Sequence, residues 1–177
     1  MSAIAVSDIR WKPNTTVAAL IEHQGRYLMV EEETAAGMRL NQPAGHIEQG
    51  ESLIDACCRE MAEETGYIAE ADALVGIYQM PAETAPDVTY LRFAFAVSLS
   101  NTNTILPGSR VANVDQMPLH AGAVVHRLDA GIAQAVWLSY EEILAARSRH
   151  RSPLVLQCLD DYRAGTRYPL ELIHHHG

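Results

Sequence analysis

Glu60, Glu63 and Glu64 occur at i, i+3 and i+4 within the stretch 52–65, where Leu53, Ile54, Ala56, Cys57 and Met61 recur at helical spacing. On a helix, at about 100° per residue, three such carboxylates fall within an arc of about 100°. Like charges at this spacing repel and weaken the helix, a penalty that a bound cation offsets. Carboxylate oxygens are hard ligands suited to Mg²⁺, with Mn²⁺ as a substitute, and Mg²⁺ is commonly shared between a few carboxylates, substrate phosphates and water. The chemistry open to this trio is metal-assisted work on a phosphate compound. The alternative is a glutamate-rich face that meets only solvent. Arg59 adjoins Glu60, and Glu51 lies near the helix start, where a carboxylate also suits the helix dipole.

Around the trio, Gly45, Glu51, Arg59, Glu60, Met61, Glu63, Glu64 and Gly66 stand in the order G-x5-E-x7-R-E-U-x-E-E-x-G-U, with U apolar. This resembles the signature box of the Nudix hydrolases, with Tyr67 where Ile, Leu or Val is more usual. The resemblance implies an α/β fold, an α/β/α sandwich with a mixed β-sheet, in which the box forms a loop, a helix and a loop. It implies metal ligation by Glu60, Glu63 and Glu64 with the Gly45 carbonyl, and it makes Glu51 and Arg59 braces that orient those ligands. The activity it implies is Mg²⁺-dependent hydrolysis of a phosphoanhydride bond in a small diphosphate compound. Many members of the family add an acid from a loop shortly before a tryptophan. Here Asp129 is the acid close to Trp137, and its alternative role is that of an exposed loop residue.

The likeness extends beyond the box through Asn41–His46, Leu91-Arg92-Phe93, the segment 151–155 and the tail around Tyr162 and 167–171. These stretches are similar to a bacterial branch of the family that releases orthophosphate from nucleoside tri- and diphosphates and from thiamine-type pyrophosphates. Two other readings stay open: a Nudix pyrophosphatase acting on ADP-ribose or dinucleoside polyphosphates, and a non-catalytic binding or regulatory module. The second usually lacks a box glutamate, and none is missing here. Arg39 and Arg92 are candidates to clamp a terminal phosphate, or else are surface or ion-paired arginines. Gln42 and His46 flank the diphosphate region, where His46 could bond phosphate or cap the loop. Trp11, Tyr78 and Tyr90 could stack on a ring or pack in the core, and Arg167 and Tyr168 could close the site or pin the tail.

The elements that must position these groups can be read in outline. The stretches 15–22 and 26–32 read as a β-hairpin turning at His23-Gln24-Gly25. Residues 33–40 read as a loop, and 41–50 as a short strand followed by a loop. The box helix over 52–65 stops at Gly66. Strands follow over 68–80 and 88–100, separated by a proline-containing loop. Residues 101–125 read as a long loop, either functional or an insertion. A strand over 132–138 leads to a helix capped by Ser139 with Glu142 in a capping box. Pro153 opens a C-terminal helix and tail, 153–177. The whole is expected to form one domain.

Composition sets outer bounds. The 177 residues carry 22 acidic and 13 basic side chains, a formal charge of −9, which argues against a nucleic-acid polymer or an anionic membrane as partner. A phosphate-bearing small molecule remains compatible, because bound cations invert the local charge. Three cysteines, Cys57, Cys58 and Cys158, make no disulfide framework. With no signal peptide and no long apolar run, the expected location is the cytoplasm. Oligomeric state is not legible.

Overall fold

Side-chain alternation along the strands divides the core in two. In a computed structural model, which describes residues 11–82, 85–99, 111–112 and 128–177, β1 (Asn14–Leu20) turns Val17 and Ala19 to one side and Ala18 and Leu20 to the other. The same period of two places Leu28 and Val30 of β3 (Arg26–Thr34) opposite Met29, and Ala135 and Trp137 of β9 (Ile132–Ser139) opposite Val136. One apolar side is covered by α1 (Leu53–Thr65) and the other by α2 (Tyr140–Ala145) and α3 (Leu154–Arg163). The result is the expected α/β/α sandwich.

The strands form two mixed sheets. The four-stranded sheet runs β5 (Ala44–His46), β1, β7 (Ala85–Leu99), β6 (Ala69–Ala82). Its β1–β7 pair is parallel and its other pairs are antiparallel. The second sheet runs β2 (Glu22–His23), β3, β9, β8 (Val111–Ala112), with β4 (Gly37–Asn41) also paired to β3. There β8 and β9 are parallel.

Two expectations need correction. The hairpin of 15–22 and 26–32 is limited to the residues beside its turn, Glu22 and His23 pairing with Tyr27 and Arg26 and Ile21 accepting from the Leu28 N–H, while the rest of 15–22 joins β5 and β7 as β1. Residues 33–40 are not a loop. They turn tightly at Thr34, whose hydroxyl donates to the Gly37 carbonyl at 2.7 Å, and return as β4 along β3. The expected insertion at 101–125 lies outside the described residues except for β8.

Local chemistry explains the helices. Ser52 caps α1 by accepting from the Asp55 N–H at 3.0 Å, and Gly66 ends it with φ of 77°, where a Cβ is disfavoured. Ser139 and Glu142 form the expected capping box of α2. The tail is clasped to β6 by reciprocal Leu74–Tyr168 backbone bonds of 2.9 and 2.7 Å, while Arg167 stacks on Tyr162. Among the described residues no helix is long and apolar enough to cross a membrane.

Candidate active site

The buried stripe of α1 begins as Ala56 and Cys57 and ends as Glu60, Met61, Glu64 and Thr65. Its C-terminal half thus carries carboxylates where a core helix would carry hydrocarbon. β5 lies at the edge of its sheet, and this explains where those carboxylates go. Pro43 and Ile47 turn their backbone groups inward, accepting from Ala19 N and donating to Thr15 O. Strand alternation then turns Gly45 inward as well, and Ala44 and His46 outward. The outward Ala44 N–H donates to Glu64 Oε2 at 2.8 Å, and the outward His46 carbonyl accepts from Arg59 Nη2 at 3.0 Å.

Gly45 is required by close approach. A Cβ built there would overlap the Glu60 carboxylate, so any other residue would displace that side chain. The carbonyl that faces the glutamates across the open edge is Ala44's; Gly45's own carbonyl points to β1. The Gly45 carbonyl, expected as a ligand, is thus turned away from the open edge, a consequence of strand parity.

Arg59 organises the other acids. Its Nε and Nη2 donate to the two oxygens of Glu51 at 2.8 and 3.0 Å, and its Nη1 reaches Glu60 Oε1 at 2.8 Å and Glu63 Oε2 at 2.9 Å. Glu51 also accepts from the Glu48 N–H. The Arg59 guanidinium holds the Glu51 carboxyl below its ordinary value, and Glu51 in turn pushes Arg59 up. Burial pushes Glu60 up against the pull of Arg59, with Glu63 and Asp129 adding repulsion. Burial dominates at Glu64 and raises it to about 9; the Ala44 bond opposes the rise, and Glu60, Glu32 and Asp129 reinforce it.

Asp129 belongs to this cluster. Its N–H donates to the Glu63 carbonyl at 3.1 Å, which docks the loop before β9 on the end of α1. Glu32 is a member that sequence reasoning missed. It lies on β3 with the parity of Leu28 and Val30, the α1 side, and is held by Asn41 Nδ2 at 2.8 Å and Arg151 Nε at 3.2 Å. The run Glu31-Glu32-Glu33 was visible, but only register shows that Glu32 alone reaches Glu64, while Glu31 pairs with Arg149.

The expected substrate residues divide. Arg39 Nη1 donates to the Ser148 carbonyl at 3.1 Å, and buried Gln42 donates Nε2 to the Val155 carbonyl at 2.7 Å. Both brace backbone and leave the glutamates aside. His46 is exposed, with its ring 6.3 Å from that of Tyr90. Arg92 is buried on β7. Tyr78 donates to Asp161, Trp11 is exposed, and Arg167 and Tyr168 serve the tail clasp.

Buried carboxylates with raised proton affinity, crowded by further acids, are a donor set suited to a hard cation. In this arrangement Arg59 occupies Glu60 and Glu63, and among the described residues no three such groups converge on one point.

A family model described as the NUDIX domain matches residues 11–157. The chain is 38% identical over 164 residues to "Phosphatase NudJ" of Escherichia coli K12, covering 92% of each. It resembles the structure of a NUDIX hydrolase from Nitrosomonas europaea with 42% identity and a TM-score of 0.76, covering 93% of this chain and 98% of that one. The NUDIX domain of Shewanella oneidensis NrtR, solved with ADP ribose, aligns at 14% identity and a TM-score of 0.59, covering 92% of this chain and 93% of that one. This last likeness is one of fold alone.

Proposed function

The chain belongs to the Nudix family and is a Nudix hydrolase acting on phosphoanhydride bonds; on that premise, we propose that it is a Mg²⁺-dependent phosphatase releasing orthophosphate from nucleoside tri- and diphosphates or thiamine-type pyrophosphates. The observation that carries this reading is the pair Glu60 and Glu64, buried against Gly45 and Ala44 at an open strand edge and surrounded by negative charge. The 38% identity to a protein named a phosphatase supports orthophosphate as the product.

In this reading Glu60, Glu63 and Glu64 would hold the ion, with the Ala44 carbonyl in the place expected of Gly45. The ion, when bound, neutralises phosphoryl oxygens and acidifies a water. Arg59, fixed by Glu51, aligns Glu60 and Glu63. Asp129 and Glu32 flank Glu64 and are the carboxylates available to accept the proton of the attacking water. The water oxygen bonds to phosphorus as the anhydride P–O bond breaks, and the leaving phosphate carries away the electron pair.

The test is phosphate release with Mg²⁺ from GTP, GDP, thiamine pyrophosphate and ADP-ribose, each with an EDTA blank. Direct orthophosphate from the nucleotides or thiamine pyrophosphate, abolished by EDTA, is the expected result. Phosphate appearing only after an added phosphatase would mean cleavage elsewhere in the substrate and reassign it to the ADP-ribose type. No turnover in either assay would leave a binding module.

A further inference from the structure

The side of the four-stranded sheet away from α1 carries a polar row that the glutamate site does not use. Thr16 is register partner of both His46 and Arg92, and Arg92 is partner of Tyr78. All four have the parity of Ala18, Ala44 and Ala94, whose side chains face α2 and α3. The row therefore runs from exposed His46 at the β5 edge inward, through Thr16 and Arg92, to Tyr78.

Arg92 is only 8% exposed, yet its Nε and Nη1 have no hydrogen-bond partner and it makes no ion pair among the described residues. The nearby groups leave those two nitrogens without an acceptor. Asp161 Oδ2 is taken by the Tyr78 hydroxyl at 2.8 Å and Gln157 Nε2 at 3.2 Å. The Cys158 thiol is hydrogen-bonded to Arg92, but burial pushes it up to about 11 and keeps it uncharged. Thr16 is 6% exposed, and its hydroxyl is likewise without a partner. A buried guanidinium with two nitrogens short of acceptors is costly, and here it stands next to a hydroxyl that also lacks a partner.

Donors without acceptors call for an oxyanion. We propose that Arg92 and Thr16, with His46 at the mouth, form a binding site for a phosphate group separate from the one held by the glutamates. The two sites share β5, since Gly45 lies against Glu60 while the next residue, His46, opens the row. Strands are about 4.8 Å apart, which sets Arg92 about 10 Å from His46 along the row. The group bound is either a remaining phosphate of the substrate or the orthophosphate released. As part of a catalytic cycle this inference rests on the phosphatase reading, but the binding event does not.

The experiment uses inorganic phosphate as the probe, with the full chain in EDTA. Without metal the glutamate face repels anions, so phosphate binding must report the Arg92 row. Calorimetry and thermal melts are run on the wild type, Arg92→Met, Arg92→Lys and Thr16→Val. Saturable binding and a raised melting temperature in the wild type, lost in Arg92→Met and weakened in the other two, are expected. Absence of binding in the wild type, or binding unchanged in Arg92→Met and Thr16→Val, would overturn the proposal. If Arg92→Met does not fold, Arg92→Lys and Thr16→Val decide.

Kinetics then identify the source of the phosphate. A KM for GTP raised about 10- to 100-fold with kcat within about 3-fold assigns the site to the substrate. An unchanged KM with weakened inhibition by orthophosphate assigns it to the product. Phosphate binding without turnover of any panel substrate would sink the phosphatase reading and spare this site. Turnover without Arg92-dependent phosphate binding would do the reverse.

Discussion

The two sides of one sheet bury opposite charge by opposite means. On the α1 side, carboxylates gather at an open edge, and a single arginine ties Glu51, Glu60 and Glu63 together while Glu64 caps a backbone N–H. On the α3 side, a guanidinium is buried with its Nε and Nη1 unbonded, while Asp161 on the covering helix accepts from Tyr78 and Gln157 instead. The acidic side is crowded with carboxylates and suits a cation; the basic side has donors without acceptors and suits an anion. A metal–phosphate compound supplies both, and for that reason the contrast points to ligands rather than to stability.

The strongest way to break the contrast is Glu64→Gln. It should lower kcat on the order of 1,000-fold with the fold intact, and near-normal turnover would remove Glu64 from the metal set. The pH dependence of stability gives the next effect. Glu64 has an ordinary value of 4.5 and about 9 when folded, so the native state binds the extra proton. The contribution of Glu64 to metal-free stability should therefore be fullest below 4.5 and should fall as pH rises towards 9. Saturating Mg²⁺ should flatten that slope, as should Glu64→Gln in EDTA; denaturant melts across the range measure both.

Gly45→Ala should displace Glu60, costing about 1–3 kcal/mol of stability and reducing kcat. If melts and turnover both match the wild type, the close packing of Glu60 on Gly45 is not needed. Glu51→Gln should cost about 10-fold in kcat by loosening Arg59, with KM the smaller change. On the basic side, Arg92→Met should raise ligand-free stability by about 1–2 kcal/mol, because it removes a buried charge whose Nε and Nη1 lack acceptors. A destabilised variant would mean that Arg92 has a structural partner in the fold.

Much of the acidic side was legible beforehand. The box spacing, the Ser52 cap and the Gly66 stop specify α1, and they place Glu60, Glu63 and Glu64 together because all lie within a few turns of one helix. Sandwich, mixed pairing and family follow from the same stretch and are borne out. What escaped depends on register. Whether Ala44 or Gly45 turns its carbonyl outward, and whether Glu31 or Glu32 reaches Glu64, are questions of strand parity that only pairing answers. The β4 segment reads as a loop in the sequence because Gly37 dominates a short stretch whose partner is local but not patterned. Arg92 is visible as a residue, but the want of acceptors at its Nε and Nη1 depends on Tyr78 and Gln157 reaching Asp161 from distant elements.

The edge position of β5 has a consequence beyond chemistry. A three-residue strand with outward N–H and carbonyl groups is a template on which a foreign strand could dock. Here the Ala44 N–H is occupied by Glu64 and the His46 carbonyl by Arg59. The groups assigned to turnover thus also act as a guard against self-association, and variants that release the edge should be watched for aggregation as closely as for lost activity.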